Sequence, residues 1–574
     1  NTPGLAADVI AMQPEAVQRL LSADRRPSLA VLPFANRSGL EEDSYFTDGM
    51  HEEILTRISR IKGLRTIPRT SVEGYRDARA SILEIGADLA VAYLLQGSVQ
   101  RAADQVRISV QLVDANTEDH LWSDEYTERA TPQDLFEIQS RVTDEVAREL
   151  RLVVVEEEER RFLQGATHSQ EAYDWYLKAL SRWQIPAASG LVTPAVVEEQ
   201  MALLGRALEA DPEFGQAHAH AAVVHINAHY WSADRSPERA ERARAALERA
   251  DRFAPDDPSV RWIRAEYLYS VERDAGGALE ILTPLEDVLG QDEAYQLWKG
   301  VLERTRGDWA ASITSFEAGT RLNPRSTHLW EKLGTSRSFQ RQFGGAEEAY
   351  RTAIELSPGN SLAEYFLGWI PLQRDGDIRN FRAWVAETGV VASYHLQIQG
   401  AYLDRDWEAL TALLDRAASD LVEENPLVIE VRPLWQARVA WATGDRESAR
   451  VRAQAAVEFL QRYIDARGED RRFLRALSLA HALLGEVEAA DQAMARALEL
   501  LPLDSDALEA AWVRADIATM QVYLERHDEA LTALDELLYE PGFITVPMVT
   551  LDATYDSLRQ DPRFQSLLDR HREF

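Results

Sequence analysis

The sequence predicts an α+β N-terminal domain, a small mixed sheet with helices, followed by an all-α superhelical solenoid. Two observations predict this fold class. Residues 106–113, VRISVQLV, alternate apolar and polar side chains, and a period of two is typical of a strand with one buried face. Beyond about residue 169 the apolar residues follow helical spacing, and one motif recurs after 34 residues, as in stacked helix pairs.

Length and composition restrict the class of protein. A chain of 574 residues is too long for one hydrophobic core, so several domains or a repeat array are expected. The formal net charge of −33 argues against general nucleic-acid binding and leaves solubility or a basic partner as alternatives. The chain has no Cys, which excludes disulfides, cysteine–zinc sites and thiol catalysis. No apolar run is long enough to predict a membrane span.

The first elements are predicted from apolar spacing and from prolines. Residues 1–27 contain one amphipathic stretch, from Val9 to Leu21, and are expected to form a juxtamembrane linker or a docking helix. The run SLAVLPF (28–34) predicts a strand that ends at Pro33.

A helix, a strand and a second helix are expected next. The helix carries an apolar stripe with a spacing of four residues, Phe46, Met50, Ile54 and Ile58. LRTIPRT (64–70) predicts a short strand, and RASILEIGADL predicts a short helix that ends near Gly86.

A three-stranded meander and a long helix complete the domain. AADQ (102–105) predicts a hairpin turn, DANTED (114–119) a second turn, and HLWSDEY a third strand. Thr131 and Pro132 predict the start of a helix, because Thr caps helices and Pro suits the first helical position. We expect this helix to continue through the EEEERR segment to residue 163.

The helical region repeats a recognisable motif. GDWAASITSFEAGTRLNP (307–324) and RQFGGAEEAYRTAIELSP (341–358) place a small residue, an aromatic, a second small residue and a proline in the same register. GEVEAADQAMARALELLP (485–502) shares the small positions. This is the tetratricopeptide pattern, in which small residues let two helices approach and Pro ends the second helix. Nine or ten helix pairs would fit between residues 169 and 540.

The N-terminal segments also resemble a known family. SLAVLPFANRSG, YFTDGMHEEILTRISRIKGLRTIPRTS and YLLQGSVQRAADQVRISVQLVDANTEDHLWSDEY are similar, in order, to the TolB-like domain that precedes tetratricopeptide repeats in bacterial membrane-anchored signalling proteins. The resemblance is assigned to residues 28–163, and it departs from the family at Ala103 and Glu118, where Gly is usual. The end of the chain, LDATYDSLRQDPRFQSLLDR, resembles the closing segment of such proteins, so residues 541–574 are expected to cap the last repeat.

The resemblance implies a location and a context. In such proteins this region is periplasmic or otherwise extracytoplasmic, anchored to the inner membrane by an upstream helix. The cytoplasmic module ahead of that helix is a cyclase, a winged-helix domain or a kinase. The resemblance does not imply what is bound.

Two sets of residues are candidate binding sites. His218, His225 and His229 share one stripe of a helix, and the last two have the spacing that can hold a metal ion; the alternative is polar residues that face a groove. Four arginines of first helices could clamp a partner's carboxylate, although solvated helix faces would have the same pattern: Arg261, Arg264, Arg337 and Arg341.

These observations favour a protein without catalytic activity. The sequence contains no Gly-rich phosphate loop and no nucleophile elbow, so neither an enzyme nor a cofactor is predicted. The first hypothesis is a scaffold that binds a protein or peptide in the concave groove of the repeats. The numerous tryptophans are expected either in the core between helices or along this groove. A homodimer through the C-terminal segment is a further expectation. The alternative is a ligand- or metal-sensing ectodomain that regulates a cytoplasmic module.

Overall fold

The computed structural model describes residues 14–23, 26–38, 43–76, 80–102, 105–152, 154, 165–183, 192–230, 236–387, 394–424 and 429–572. The predicted fold class is confirmed. A small mixed sheet with helices precedes an all-α array of tetratricopeptide-type helix pairs. In these ranges no helix is both long and apolar enough to cross a membrane.

The sheet combines a parallel edge with an antiparallel meander. Its strands are β1 (Ser28–Val31), β2 (Ala35–Asn36), β3 (Arg65–Thr66), β4 (Tyr93–Ala102), β5 (Gln105–Asp114) and β6 (His120–Arg129). The order is β3-β1-β4-β5-β6, with β2 also paired to β4; β1 runs parallel to β3 and β4, and the meander β4-β5-β6 is antiparallel.

The alternation that predicted β5 is confirmed by burial. Its four alternating apolar side chains lie in the core, as does Val113: Val106, Ile108, Val110 and Leu112. Ala102 pairs with Gln105, so residues 103–104 connect the strands, and the predicted turn position Ala103 lies outside the described residues. Glu118 adopts a left-handed backbone with φ +63°, the conformation for which Gly is the usual residue.

The described residues of this part of the chain include five helices: α1 (Glu15–Ala23), α2 (Ser44–Ile58), α3 (Arg69–Val72), α4 (Ile82–Leu89) and α5 (Pro132–Glu149). The predicted stripe of α2 is confirmed, since Phe46, Met50, Ile54 and Ile58 are all fully buried. The helix α1 is packed as well, because Val17 is buried and Arg26, just beyond it, donates to Gln291 at 2.8 Å.

Two predicted helix ends are wrong. Gly86 lies inside α4, which ends at Ala90 with φ +51°; a Cβ at Gly86 would lie 2.5 Å from the Cβ of Ala115, so Gly permits close packing there. The EEEERR segment, through which a longer helix is expected, lies outside the described residues, and the helix α5 itself ends at Glu149. It ends because Arg151 turns left-handed, with φ +56°, and Leu152 donates its N–H to the carbonyl of Ala147 at 2.8 Å.

The remaining helices form the array. They are α6 (Gln170–Arg182), α7 (Pro194–Ala210), α8 (Gly215–Tyr230), α9 (Pro237–Phe253), α10 (Pro258–Ser270), α11 (Ala275–Leu282), α12 (Glu286–Leu289), α13 (Glu293–Thr305), α14 (Trp309–Leu322), α15 (Thr327–Phe339), α16 (Phe343–Leu356), α17 (Ser361–Asp375), α18 (Ile378–Glu387), α19 (Tyr394–Leu403), α20 (Trp407–Asp415), α21 (Arg432–Ala442), α22 (Arg446–Arg467), α23 (Arg471–Leu484), α24 (Val487–Leu500), α25 (Ala507–Tyr523), α26 (His527–Tyr539), α27 (Val546–Leu551) and α28 (Pro562–Arg570). A short antiparallel hairpin, β7 (Leu421–Glu424) with β8 (Ile429–Val431), interrupts it and was not predicted.

Contacts divide the chain into two compact units. The first unit comprises residues 1–302 and 315–326, and the second comprises residues 303–314 and 327–574. Within the first unit the sheet and the helices up to α10 share one hydrophobic core. The helix α2 packs directly on α6, where a Cβ at Gly49 would lie 2.6 Å from Leu177. The packing therefore does not separate at residues 163–169, where the sequence predicted a domain boundary.

A glycine–aromatic contact recurs at the spacing of the repeat. A Cβ added to the glycine of a first helix would come within 2.6 Å of the ring of the second helix in each of three pairs: Gly300 with Phe316, Gly334 with Tyr350, and Gly368 with Trp384. Each glycine, like each ring, is 34 residues from the next. The ring occupies the space that a side chain would fill, so these pairs can pack closely only with Gly at this position.

Replacement of Gly300 by Ala should reveal this constraint. The new methyl group would clash with Phe316, and we expect Gly300→Ala to lower the free energy of unfolding by about 1–3 kcal/mol. Gly205 in α7 has no neighbouring atom within 4 Å, so the matched control Gly205→Ala should raise it by about 0.5–1 kcal/mol through helix propensity. Urea unfolding followed by circular dichroism measures both changes. Stabilisation by both substitutions would contradict the packing.

Candidate functional site

The segment that follows α26 lies along the second unit instead of only closing its end. We call residues 541–558 the C-terminal segment; it contains α27 and a 3-10 helix (Ala553–Leu558). We call the surface formed by the first helices of the second unit's pairs its inner face: α15, α17, α19, α21, α23 and α25. The C-terminal segment covers much of this face, and its side chains form one wall of a cavity there.

Hydrogen bonds attach the C-terminal segment to helices far away in sequence. The N–H of Gly542 donates to the carbonyl of Phe339 in α15 at 3.2 Å. Gln373 in α17 donates its side-chain amide to the carbonyl of Phe543 at 2.8 Å, although 170 residues separate them. The hydroxyl of Thr545 returns a bond of 2.8 Å to the carbonyl of Gln373. The first two bonds satisfy backbone groups of residues that precede α27 and lie outside regular structure.

The ring of Phe543 is the apolar anchor of this contact. It is 1% exposed, and its centre lies 4.5 Å from the ring of Trp512 and 5.1 Å from that of Trp369. Phe339 and Phe366 approach the same ring at 6.3 Å. Edge and tilted contacts of this kind add about 0.5–1.5 kcal/mol per pair to the burial of the ring.

The predicted role of residues 541–574 as a cap describes only part of this arrangement. Phe564, Leu567 and Leu568 of α28 do pack with leucines of α26, the helix that precedes the C-terminal segment. The stretch before α28 goes further and reaches α19, where Tyr402 and Thr554 share a hydrogen bond of 2.9 Å between their hydroxyls. Asp556 then accepts two hydrogen bonds from Arg405, at 2.6 and 2.7 Å.

Between the C-terminal segment and the inner face lies a cavity of about 170 Å³. Its apolar walls combine aliphatic side chains with five aromatic ones: Trp369, Trp435, Trp512, Phe543 and Tyr555. The C-terminal segment contributes six of the residues around it: Phe543, Ile544, Met548, Val549, Asp552 and Tyr555. The cavity therefore exists in this form only while the C-terminal segment is docked.

A buried histidine and carboxylate line one side. His395, at the start of α19, is 4% exposed, and its Nδ1 contacts a carboxylate oxygen of Glu430 in β8. The indole N–H of Trp435 donates to the other oxygen of Glu430. The second ring nitrogen of His395, Nε2, is buried and finds no hydrogen-bond partner among the described residues. A buried nitrogen without a partner costs about 1–3 kcal/mol.

Arg438 of α21 supplies a positive charge to the cavity. Its Cζ lies 4.0 Å from the ring centre of Trp435, and its Nε donates to the hydroxyl of Tyr523 at 3.2 Å. Among the described residues it forms no ion pair with a carboxylate. Burial alone would lower the pKa of Arg438, but the nearby Tyr523, Tyr402 and Asp552 outweigh it and raise the pKa. The guanidinium is therefore a permanent charge held in place by an indole.

The other charged groups around the cavity have partners. Arg475 contacts Asp516 at 2.5 Å, and Arg472 contacts Asp470 at 2.7 Å. Asp552 accepts the N–H of Thr554 at 2.7 Å. An incoming ligand would thus meet Arg438, which forms no ion pair among the described residues, and Asp552, whose carboxylate accepts a backbone N–H and lies near Arg438.

The structure does not assemble the three predicted histidines into a metal centre. His218 lies 2.9 Å from the carbonyl of Pro212 and stacks on Phe253, and burial lowers its pKa. Nδ1 of His225 lies 2.9 Å from the guanidinium of Arg239, which is a poor neighbour for a metal ion. Where the chain is described, no three His, Cys, Asp or Glu side chains are placed to hold a metal. Metal binding at His225 and His229 stays a prediction.

The four predicted arginines do not line the cavity either. Arg261 is exposed and Arg264 pairs with Asp251, both in the first unit. Arg337 donates to the carbonyl of Gly345 at 3.2 Å, and Arg341 to that of Leu538 at 2.7 Å, in the second unit. Partner binding at these positions stays a prediction.

Comparison with known proteins finds partial matches that do not show the family of this chain. A model described as HilA/YgeH-like transcriptional regulator, second domain, matches residues 24–145, so the TolB-like resemblance stays a prediction. "Putative adenylate cyclase 3" of Rhizobium meliloti (strain 1021) is 38% identical over 200 residues, 35% of this chain. The chain spans only 32% of that relative's length.

Two solved structures share the helix-pair fold. PilF of Pseudomonas aeruginosa is 17% identical, with a TM-score of 0.31, over 39% of this chain and 90% of its own. YrrB, a TPR protein with an unusual peptide-binding site, is 20% identical, with a TM-score of 0.25, over 34% of this chain and 97% of its own. At these values the similarity concerns the fold alone.

Truncation of the Phe543 ring tests whether the C-terminal segment is docked in solution. Phe543→Ala would leave a hole between Trp369 and Trp512, and we expect it to lower the unfolding free energy of the second unit by about 3–5 kcal/mol. Tyr539 is 74% exposed at the end of α26, so Tyr539→Ala should change it by less than about 0.5 kcal/mol. Urea titration followed by tryptophan fluorescence measures both. Equal, small effects would show that the segment does not pack on the inner face.

Proposed function

We propose that this chain is the non-catalytic sensory region of a signalling protein, and that its second unit binds a small ligand inside the cavity. The observation that carries this proposal is the position of the C-terminal segment. The segment occupies the inner face, where the sequence predicted a partner's peptide. A small cavity remains between them, lined by aliphatic and aromatic side chains and by the guanidinium of Arg438. Such a lining suits recognition of a small molecule.

An extended peptide, the first function predicted from the sequence, fits the inner face of the second unit less well. It could bind there only after Phe543 had left its pocket and the bonds to Phe339 and Gln373 had broken. A small ligand needs no such displacement. A protein partner elsewhere on the chain, and a homodimer, stay predictions.

The signalling context rests on similarity and stays part of the proposal. The matched regulator domain and the relative named as an adenylate cyclase both support a regulatory protein, with this chain as the part that senses. The TolB-like resemblance further suggests an extracytoplasmic position with a membrane anchor upstream. In this scheme ligand binding would stabilise the docked state of the C-terminal segment, and the signal would be the change in that equilibrium.

The proposal predicts that filling the cavity abolishes ligand binding. Ala476 of α23 is buried and lines the cavity, so Ala476→Leu would place three additional carbon atoms in or beside it. A thermal-shift screen of organic acids, amides, amines and sugars should raise the melting temperature of the full chain with at least one class, because the ligand binds only the folded state.

The control separates loss of the cavity from a general effect of Leu. Ala455 is exposed on α22, and Ala455→Leu should keep the shift that Ala476→Leu removes. The proposal is wrong if no compound class shifts the melting temperature, or if the active class shifts Ala476→Leu as much as the unmodified chain.

A further inference from the structure

We propose that the ligand of this cavity is a small organic anion, a carboxylate with a compact apolar body, whose carboxylate pairs with Arg438. This inference rests on the proposed function and identifies the class of compound that the cavity would select. Three features of the cavity support it: the charge of Arg438, the existing partners of Glu430 and Asp516, and the size of the space between its apolar walls.

The guanidinium of Arg438 is the charge that lacks a counter-charge in contact. The Nε of Arg438 donates to the hydroxyl of Tyr523, and one face of the guanidinium stacks on Trp435. The terminal N–H groups of the guanidinium can therefore donate to a ligand in the cavity. A planar guanidinium presents parallel N–H groups that match the two oxygens of a carboxylate. Because Trp435 and Tyr402 hold the side chain, little conformational freedom is lost when an anion binds.

A cationic ligand would compete with existing donors at two of the three carboxylates around the cavity, and at the third, Asp552, it would meet the nearby charge of Arg438. The carboxylate of Glu430 already contacts His395 and Trp435, and that of Asp516 contacts Arg475. A ligand ammonium group would have to compete with these donors and would also approach Arg438. The charges around the cavity therefore favour an anion.

The size of the cavity limits the body of the ligand. An enclosed apolar cavity of about 150 Å³ holds a molecule of benzene, and this cavity, which is partly open to solvent and has polar as well as apolar walls, measures about 170 Å³. One ring or a branched chain of similar size fits between Trp369, Trp512 and Phe543.

Matched probes that differ in charge test the inference on the full chain. Benzoate, benzamide and benzylamine have nearly the same shape but carry a negative, no and a positive charge. In isothermal titration calorimetry we expect benzoate to bind at least tenfold more tightly than benzamide, and benzylamine to bind most weakly. Arg438→Gln should lower the affinity for benzoate at least tenfold and remove its advantage over benzamide.

A second stacked arginine provides the control. Arg446 lies over the ring of Trp441 at 3.2 Å and does not line the cavity, so Arg446→Gln should leave the benzoate affinity unchanged. If Arg438→Gln does not fold, judged by circular dichroism, the comparison of the three probes on the unmodified chain decides alone. Equal binding of benzoate and benzamide, or tighter binding of benzylamine, would overturn the anion while the proposed function stands. Failure of every compound, here and in the wider screen, would overturn both.

Discussion

The packing of Phe543 between Trp369 and Trp512 is the contact on which the rest of the second unit's architecture depends. Through it, a segment near the end of the chain is fixed to helices that precede it by some 170 residues. The segment then closes the cavity, shields His395 and Glu430 from water, and places Asp552 near Arg438. Without this contact the inner face would be an open surface of aromatic rings.

Local regularity explains why the fold could be predicted from the sequence. Apolar alternation in β5, the stripe of α2 and the spacing of Pro324 and Pro358 each reflect contacts between near neighbours. The errors were also local. Gly is common at helix ends, which suggested that the helix ends at Gly86. In the structure, the absence of a side chain at Gly86 allows Ala115 to pack closely against the helix. The predicted end of α5 is too late because the charged residues that follow it favour helices. Arg151 instead adopts a left-handed backbone, which ends this helix.

The candidate site could be predicted only in part, because its members are distant in sequence. The tryptophans were recognised as either core or groove residues, and Trp369 and Trp435 prove to be buried at the edge of a cavity. Arg438 stands three residues after Trp435, a spacing that places both on one helix face, and this was the available signal. Glu430 belongs to a hairpin within a helical array, which no periodicity indicated, and its role depends on His395 from another helix.

Hydrogen–deuterium exchange along residues 541–558 of the full chain tests the docking of the C-terminal segment most directly. The N–H of Gly542 is bound to Phe339, and those of Val549 and Asp552 are bound within the segment. The docked arrangement predicts that these amides exchange much more slowly than in a free peptide of the same sequence, and more slowly still with saturating benzoate. Exchange at the rate of the free peptide would contradict docking, and with it the closed cavity.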